Sequence, residues 1–330
     1  MWRPLPRPAL LITGALVLGA AACSAAGPTR SAANTSSAAP GVTRPGSGSA
    51  SSSATATSGP GSPGTPSSAV ERRPGTGRRR RRPGLCTSAA HPNLAARISR
   101  GITSALRGRV SVVGIEASDP ALGLTCQVHP RREIHSASVV KVFILGALLR
   151  ELQASHSELT ADQASLATAM ITESSNSAAT ALWDEVGRTG LAGFLAAAGM
   201  TRTELGSGDY WGLTEVNAHD ELRLLRLLIT PNTVLDRDSR QYALRLMADV
   251  EASQCWGVPA GADDDEVTAH LKNGWLPDPS LWVVNSIGDF TRASGGDYSV
   301  AILTMNNPDM DYGIATVEGV ATVINQALSD

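Results

Sequence analysis

The stretch HSASVVKVFILGALL, residues 135–149, joins a serine to a strongly apolar run. Its apolar residues fall on nearly every face of a helix, and such a helix belongs in the interior of a domain. Ser138 comes at the start of this run and Lys141 follows three residues later. The spacing predicts a buried helix with Ser138 at its N-terminus and Lys141 one turn along, on the same face.

Lys141 is one of only two lysines in the chain, which otherwise uses arginine for positive charge. An amine drawn into an apolar site loses solvation, and its pKa falls. A neutral amine can take the proton of a serine hydroxyl, whereas arginine does not deprotonate. The N-terminus of the helix also favours negative charge on a nearby oxygen. We therefore interpret Ser138 as a nucleophile and Lys141 as its base.

Two further motifs follow in the chain. Residues 171–182, ITESSNSAATAL, place Ser174 and Asn176 at the junction of a loop and a helix. The second lysine, Lys272, lies in HLKNGWLP on a predicted strand and is followed by Gly274. Together the motifs read Ser138-Val139-Val140-Lys141, Ser174-Ser175-Asn176 and Lys272-Asn273-Gly274.

This ordered set resembles the S-x-x-K, S-D-N and K-T-G motifs of class A β-lactamases and penicillin-binding proteins. The resemblance covers about residues 88–330. It implies that Ser138 attacks the carbonyl of a β-lactam or of a D-Ala-D-Ala-type peptide, that Lys141 activates it, and that Ser174 relays a proton to the leaving nitrogen. It further implies the substrate-binding set Asn176, Lys272, Asn273, Gly274 and Trp275. The backbone N–H groups of Ser138 and Trp275 are expected to form the oxyanion hole.

Strand patterns flank a long helical block, which runs from Ser138 to about Val250. Strands are predicted at 110–117, 123–128, 266–274, 281–290 and 298–305, with helices at 91–107 and about 313–328. Short connections favour an antiparallel sheet. We predict an α+β fold in which N- and C-terminal helices flank a five-stranded antiparallel sheet and an all-helical domain is inserted. The resemblance implies the β-lactamase/transpeptidase-like version of this α/β-α sandwich.

Three positions depart from the family pattern. Ser175 replaces the aspartate of S-D-N, which braces a loop, and Asn273 replaces the hydroxyl residue of K-T-G, so an amide is expected to contact the substrate carboxylate. Class A enzymes release the acyl group with a glutamate in an E-x-x-x-N pattern. Neither Glu204 nor Glu215 has that spacing, and the segment that carries them is short. Slow deacylation is therefore expected. Trp211, in the same segment, is expected either to line the cleft or to pack in the core.

The N-terminal part reads as an export signal and a tether. Residues 1–23 have two early arginines, a short apolar core and small residues before Cys23, which resembles a bacterial lipobox. We expect a lipidated Cys23 that anchors the protein to the outer face of the bacterial cytoplasmic membrane. Residues 24–85 are rich in Ser, Pro, Gly and Arg and predict a disordered tether. The arginine run 78–82 either contacts an anionic surface or is part of the solvated tether.

Charge and cysteine content narrow the remaining choices. Residues 1–85 hold 11 arginines and one glutamate, whereas residues 86–330 hold 17 basic and 29 acidic residues. An acidic catalytic domain at 86–330 argues against a nucleic-acid partner. Cysteines and histidines lack metal-ligand spacing, so no metal or cofactor is expected. A disulfide between Cys86 and Cys126 is predicted, with Cys255 as a free thiol. We expect a monomeric enzyme; a non-catalytic cell-wall or ligand-binding module is the rival interpretation.

Overall fold

The computed structural model describes residues 84–278 and 280–329, and the fold is given for those residues. The predicted signal peptide, Cys23 and the arginine run lie outside the described residues, as does all of the tether except its last two positions. Within the described part of the chain, no helix is both long and apolar enough to cross a membrane.

The main sheet has six antiparallel strands in the order β1-β3-β2-β8-β7-β6. The strands are β1 (Cys86–Thr87), β2 (Val112–Asp119), β3 (Leu124–Val128), β6 (Val267–Asp278), β7 (Leu281–Arg292) and β8 (Asp297–Asn307). A separate two-stranded sheet pairs β4 (Ile134–His135) with β5 (Glu215–Val216). The predicted count of five is corrected to six because the short β1 pairs with β3.

Seven helices accompany the sheets in the described residues. They are α1 (Pro92–Ala105), α2 (Val140–Ser155), α3 (Ala161–Thr172), α4 (Asn176–Ala198), α5 (Ala218–Ile229), α6 (Arg237–Ala248) and α7 (Met310–Ser329). Helix α4 is interrupted at Gly187, whose φ is +65°. The predicted α+β architecture is confirmed: an antiparallel sheet with a helical region inserted between its early and late strands.

Two apolar cores form, one on each face of the sheet. Helices α1 and α7 supply Ile98, Ile102, Val317 and Ile324 to one core, where they meet Ile115 and Ile302 of the sheet. The other core contains residues of α2 to α6 with Ile287 and Ala301. Side chains alternate across a strand, so successive residues of β6, β7 and β8 enter opposite cores. Helix α2 is buried from Val140 to Leu149, which accounts for its lack of a polar face.

The predicted disulfide between Cys86 and Cys126 is confirmed, whereas Cys255 differs from the expectation. Cys86 and Cys126 are cross-strand partners in β1 and β3 and form a disulfide. It closes a sequence separation of 40 residues, which is worth about 3–4 kcal/mol in the chain-entropy account of cross-links. The expectation of a free thiol at Cys255 is wrong, because Cys255 is disulfide-bonded.

Glu221 of α5 is a buried carboxyl group outside the predicted site. It is 1% exposed, and its Oε2 has no hydrogen-bond partner. Burial, with the neighbouring Asp220 as a second cause, raises the pKa of Glu221 from 4.5 to about 8. The side chain therefore stays protonated in the folded protein at pH values where it ionises in the unfolded chain. The free energy of unfolding therefore falls as the pH rises from about 4.5, and it falls no further above about pH 8.

We predict that Glu221→Gln raises the free energy of unfolding by about 2–4 kcal/mol at pH 8 and by less than about 1 kcal/mol at pH 5. Glutamine keeps the shape of the side chain but cannot ionise. Urea unfolding at the two pH values measures the difference. The matched control is Glu204→Gln, at an exposed carboxylate. An equal effect of Glu221→Gln at both pH values would contradict the assignment.

Candidate active site

Ser138 and Lys141 lie at the start of α2, as the sequence predicts. Residues Ala137–Val139 form a 3₁₀ turn that runs directly into the helix, with Lys141 as its second residue. Ala137 has a φ of +49°, a left-handed conformation that is costly for a residue with a side chain. Strain of this kind is typical of functional turns, and here it lies immediately before the predicted nucleophile.

Lys141 is fully buried, and its amine makes three hydrogen bonds to the segment between α3 and α4. Lys141 Nζ donates to Ser174 O at 2.6 Å and to Asn176 Oδ1 at 2.9 Å, and it lies 3.1 Å from Ser174 Oγ, which accepts from the charged amine and can donate to the neutral one. Ser174 itself has a φ of +59°, which places its carbonyl and its hydroxyl on the same amine. The S-x-N segment and the S-x-x-K helix therefore meet at one nitrogen atom.

The second lysine reaches the same hydroxyl from the edge of the sheet. Lys272 Nζ donates to Ser174 Oγ at 2.9 Å and to Asn273 O at 3.2 Å. Strand β6 is an edge strand, so its free edge faces the 3₁₀ turn that carries Ser138. The Ser174 hydroxyl thus bridges both lysines of the chain, which lie 131 positions apart in the sequence.

Burial changes the protonation of both amines. Burial is the main cause that lowers the pKa of Lys141 from 10.5 to about 6, and the charge of the neighbouring Lys272 is the second cause. Burial alone lowers the pKa of Lys272 from 10.5 to about 7. Neither amine makes a salt bridge with a carboxylate among the described residues. Lys141 is therefore mainly neutral near pH 7 and can act as a base.

The indole ring of Trp211 covers Lys141. Lys141 Nζ lies 4.9 Å from the centroid of the ring. A cation–π contact favours the charged amine by about 0.5–2 kcal/mol, which corresponds to about one pKa unit. The same ring excludes water, and the loss of solvation acts in the opposite direction over several pKa units. Desolvation dominates, so the amine loses its proton more easily than an exposed lysine does.

Gly274 allows the edge strand to approach the predicted nucleophile. A Cβ atom at this position would lie 2.6 Å from Ser138 N and 2.8 Å from Val139 N. Only glycine fits such a close approach of two backbones. The indole ring of Trp275 packs against Trp256, with ring centroids 5.8 Å apart, so a contribution of Trp275 to the site would come from its backbone. The oxyanion hole of Ser138 and Trp275 N–H groups stays a prediction.

Asn273 does not take the position expected of it. Its Nδ2 donates to Gln254 O at 2.7 Å and to Trp256 O at 2.8 Å, while its Oδ1 accepts from Ser286 Oγ at 2.6 Å. Asn273 is 1% exposed, and no N–H of its amide is left for a substrate carboxylate. This corrects the expected carboxylate contact: the amide holds residues 254–256 against the sheet.

The remaining motif residues lie at the entrance of α4. Asn176 is exposed and uses only Oδ1 in the described hydrogen bonds, so its Nδ2 is available to a ligand. Ser175 caps the helix, because its Oγ accepts from Ala178 N at 3.3 Å. A serine thus provides local bracing where the family pattern has an aspartate.

Neither glutamate considered for deacylation is held at the site. Glu204 and Glu215 pair through their backbones, with Glu204 N donating to Glu215 O at 2.9 Å and Glu215 N donating to Glu204 O at 2.8 Å. The side chain of Glu204 is exposed, and Glu215 lies in β5. The residue of this segment that contacts Lys141 is Trp211, for which the sequence left two interpretations open. Its contact with the lysine amine is a tertiary feature with no spacing signal.

Fold and site together define a protein of the β-lactamase/transpeptidase-like class. Residues 152–328 match the model of the β-lactamase enzyme family, and the chain belongs to that family. The matched segment contains the S-x-N and K-x-G motifs but begins after Lys141. None of the curated proteins matches the chain.

Several solved structures share the fold. A class A β-lactamase from Bacteroides cellulosilyticus has a TM-score of 0.63 at 16% identity, covering 72% of this chain and 99% of that one. PBP-A has a TM-score of 0.62 at 19% identity, covering 72% and 97%. A mutant of PBP-A in an acyl-enzyme complex with penicillin G has a TM-score of 0.61 at 19% identity, covering 71% and 96%. At these identities the likeness shows the fold.

The two pKa values predict a bell-shaped pH profile for acylation by a substrate that carries a carboxylate. The rate rises with pH through about 6 as Lys141 becomes neutral, and falls through about 7 as Lys272 loses the charge that attracts the carboxylate. Acylation rates of a fluorescent penicillin from pH 4.5 to 9 measure the profile.

The matched variant is Lys272→Arg, because arginine stays charged over this range. We expect it to lose the fall at high pH and to keep the rise near pH 6. A fall that persists unchanged in Lys272→Arg would show that another group is responsible. A wild-type rate that does not change with pH would contradict both assignments.

Proposed function

We propose that this protein is a serine acyl-enzyme that β-lactams acylate at Ser138, with slow release of the acyl group. The observation that carries the proposal is that two buried lysine amines bind the same Ser174 hydroxyl. One of them, Lys141, lies one helical turn after Ser138. A structural role gives no reason to bury two amines without a carboxylate partner, because burial of cations is costly. A catalytic role does give a reason, because Lys141 would serve as the base and Lys272 would bind the carboxylate of the substrate. A non-catalytic binding module has equally little use for two buried amines of this kind.

The proposed reaction conserves atoms and protons in two steps. Ser138 Oγ attacks the carbonyl carbon of the lactam, and its proton passes to neutral Lys141. The C–N bond breaks, and the proton reaches the departing nitrogen through the Ser174 hydroxyl. Water then attacks the ester, the bond to Ser138 Oγ breaks, one proton of the water ends on Ser138 Oγ, and a carboxylic acid leaves. Lys272 would hold the substrate carboxylate during both steps.

Slow release is supported by the segment between α4 and β5. Deacylation needs a positioned base for the attacking water, which typically contributes about 10²–10⁴ in rate. Glu204 and Glu215 are engaged with each other through their backbones, and neither carboxylate is bonded to Lys141 or Ser174 in the described residues. Acylation, by contrast, uses Lys141, Ser174 and Lys272, which are already joined by hydrogen bonds, together with Ser138, which lies one helical turn before Lys141.

The two buried lysine amines on the Ser174 hydroxyl also favour a second candidate function. A DD-peptidase that cleaves D-Ala-D-Ala-type cell-wall peptides would use the same nucleophile and base, and a β-lactam would act on it as a long-lived inhibitor. Release of D-alanine from a peptide ending in D-Ala-D-Ala, lost in Ser138→Ala, would support this function. Fast hydrolysis of β-lactams would instead favour a β-lactamase.

We also propose that the protein is exported and anchored by a lipid on Cys23. The proposal is supported by the signal-like residues 1–23 and by the Cys86–Cys126 disulfide, which suits an oxidising compartment. Mass spectrometry of the mature N-terminus tests it, with Cys23→Ala as the matched variant. The expected result is a lipid on Cys23 and release of the variant from the membrane. A mature protein without lipid on Cys23, and in particular one in which Cys23 is joined to Cys255, would contradict the proposal, because a lipidated cysteine has no thiol left for a disulfide.

We predict that benzylpenicillin adds covalently to the protein at Ser138 and that the adduct accumulates. Intact-mass measurement after mixing follows the adduct, and peptide mapping locates it. Ser138→Ala is expected to abolish it, because the hydroxyl nucleophile is gone.

A nitrocefin assay run in parallel separates the outcomes. Turnover slower than acylation is expected. An adduct that persists in Ser138→Ala would refute Ser138 as nucleophile, whereas rapid turnover without accumulation would refute slow release. Ser99→Ala is a suitable control, because Ser99 lies in α1 and its Oγ accepts a hydrogen bond from Cys86 N, with no described contact to the site.

A further inference from the structure

Trp211 is fixed over Lys141 by contacts to both sides of the site. Its Nε1 donates to Thr180 Oγ1 at 3.0 Å. Thr180 lies one turn along α4 from Asn176, the residue whose Oδ1 binds Lys141 Nζ. The ring and the amine are therefore held by the same face of one helix, with Nζ 4.9 Å from the ring centroid.

The backbone around Trp211 is tied to the turn that carries Ser138. Ser136 N donates to Thr214 O at 2.8 Å, and Ser136 Oγ reaches Trp211 O at 3.5 Å and Gly212 O at 3.4 Å. Trp211 O also accepts from Thr214 N at 3.0 Å, which closes the 3₁₀ turn Trp211–Leu213. The indole ring is thus part of a defined turn and not of a loose loop.

The Trp211 ring presents an apolar face to the Lys141 amine. Lys141 Nζ has Ser174 and Asn176 as its hydrogen-bond partners, and its described aromatic contact is Trp211. An indole face neither accepts the proton of a water molecule nor holds a water by a strong hydrogen bond. The N–H group of this indole, its only polar group, is already bound to Thr180.

We propose that Trp211 prolongs the acyl-enzyme by occupying the position over Lys141 from which a water would be held and deprotonated. The inference rests on the proposed function, because it concerns the second step of that reaction. In that step water attacks the ester carbonyl, one proton of the water passes to a base, and Ser138 Oγ leaves the acyl carbon and is reprotonated. Trp211 is a positioning residue: it excludes the water and supplies no base.

The experiment measures the lifetime of the benzylpenicillin adduct in four variants by intact mass. Trp211→Phe keeps an apolar ring over Lys141 and is expected to keep the lifetime within about threefold of wild type. Trp211→Ala admits water and is expected to shorten it at least about tenfold. Trp211→Glu supplies a carboxylate as well and is expected to shorten it by about 10²-fold or more. Tyr210→Glu, at an exposed neighbouring position, is the charge control and should leave the lifetime unchanged.

The outcomes separate this inference from the function on which it rests. If wild type forms no adduct, the proposed function fails. If wild type forms an adduct and Trp211→Ala and Trp211→Phe release it at the same rate, the function stands and the inference is overturned. That comparison holds even if Trp211→Glu does not fold. A further readout is the pH profile of release, in which Trp211→Glu should gain a rise near the pKa of a carboxyl group that the other variants lack.

Discussion

The structure depends on one arrangement: the Ser174 hydroxyl is bound between two buried lysine amines, and no carboxylate of the described residues neutralises them. Two ammonium groups cannot both stay charged at this separation in a poorly solvated pocket without a large cost. The least costly solution near neutral pH is a neutral Lys141 beside a charged Lys272. We infer that Ser174 then accepts from Lys272 and turns its own hydrogen toward Lys141, which links base, relay and anion-binding group in one network.

Each element of the fold contributes one part of this arrangement. The edge strand β6 brings Lys272, and the apolar helix α2 buries Lys141. The left-handed Ser174 presents two acceptors to one amine. Such a site costs stability, because buried amines and positive φ angles at Ala137 and Ser174 are each unfavourable. The two cores on either face of the sheet and the Cys86–Cys126 disulfide provide the stability that offsets this cost.

Much of this could be predicted from the sequence, since the information is local. Apolar periodicity gives α2 and the strands, and the rarity of lysine directs attention to Lys141 and Lys272. The wrong predictions concern features that local patterns do not encode. Asn273 lies within the K-x-G motif, yet its amide binds the backbone of residues 254–256. The short β1 is too brief for a strand signal. Trp211 lies 70 positions from Lys141, and an aromatic residue gives no sign of whether it will cover a functional amine.

The most direct test of the account is the pKa of Lys141 in the folded protein. Because the chain has only two lysines, lysine-selective ¹³C and ¹⁵N labelling gives two side-chain signals, and Lys272→Arg assigns the one that remains. The account predicts that the Lys141 signal titrates near pH 6, several units below an exposed lysine. A signal that titrates near pH 10 would show that the amine is charged throughout the physiological range, and Lys141 could then not be the base.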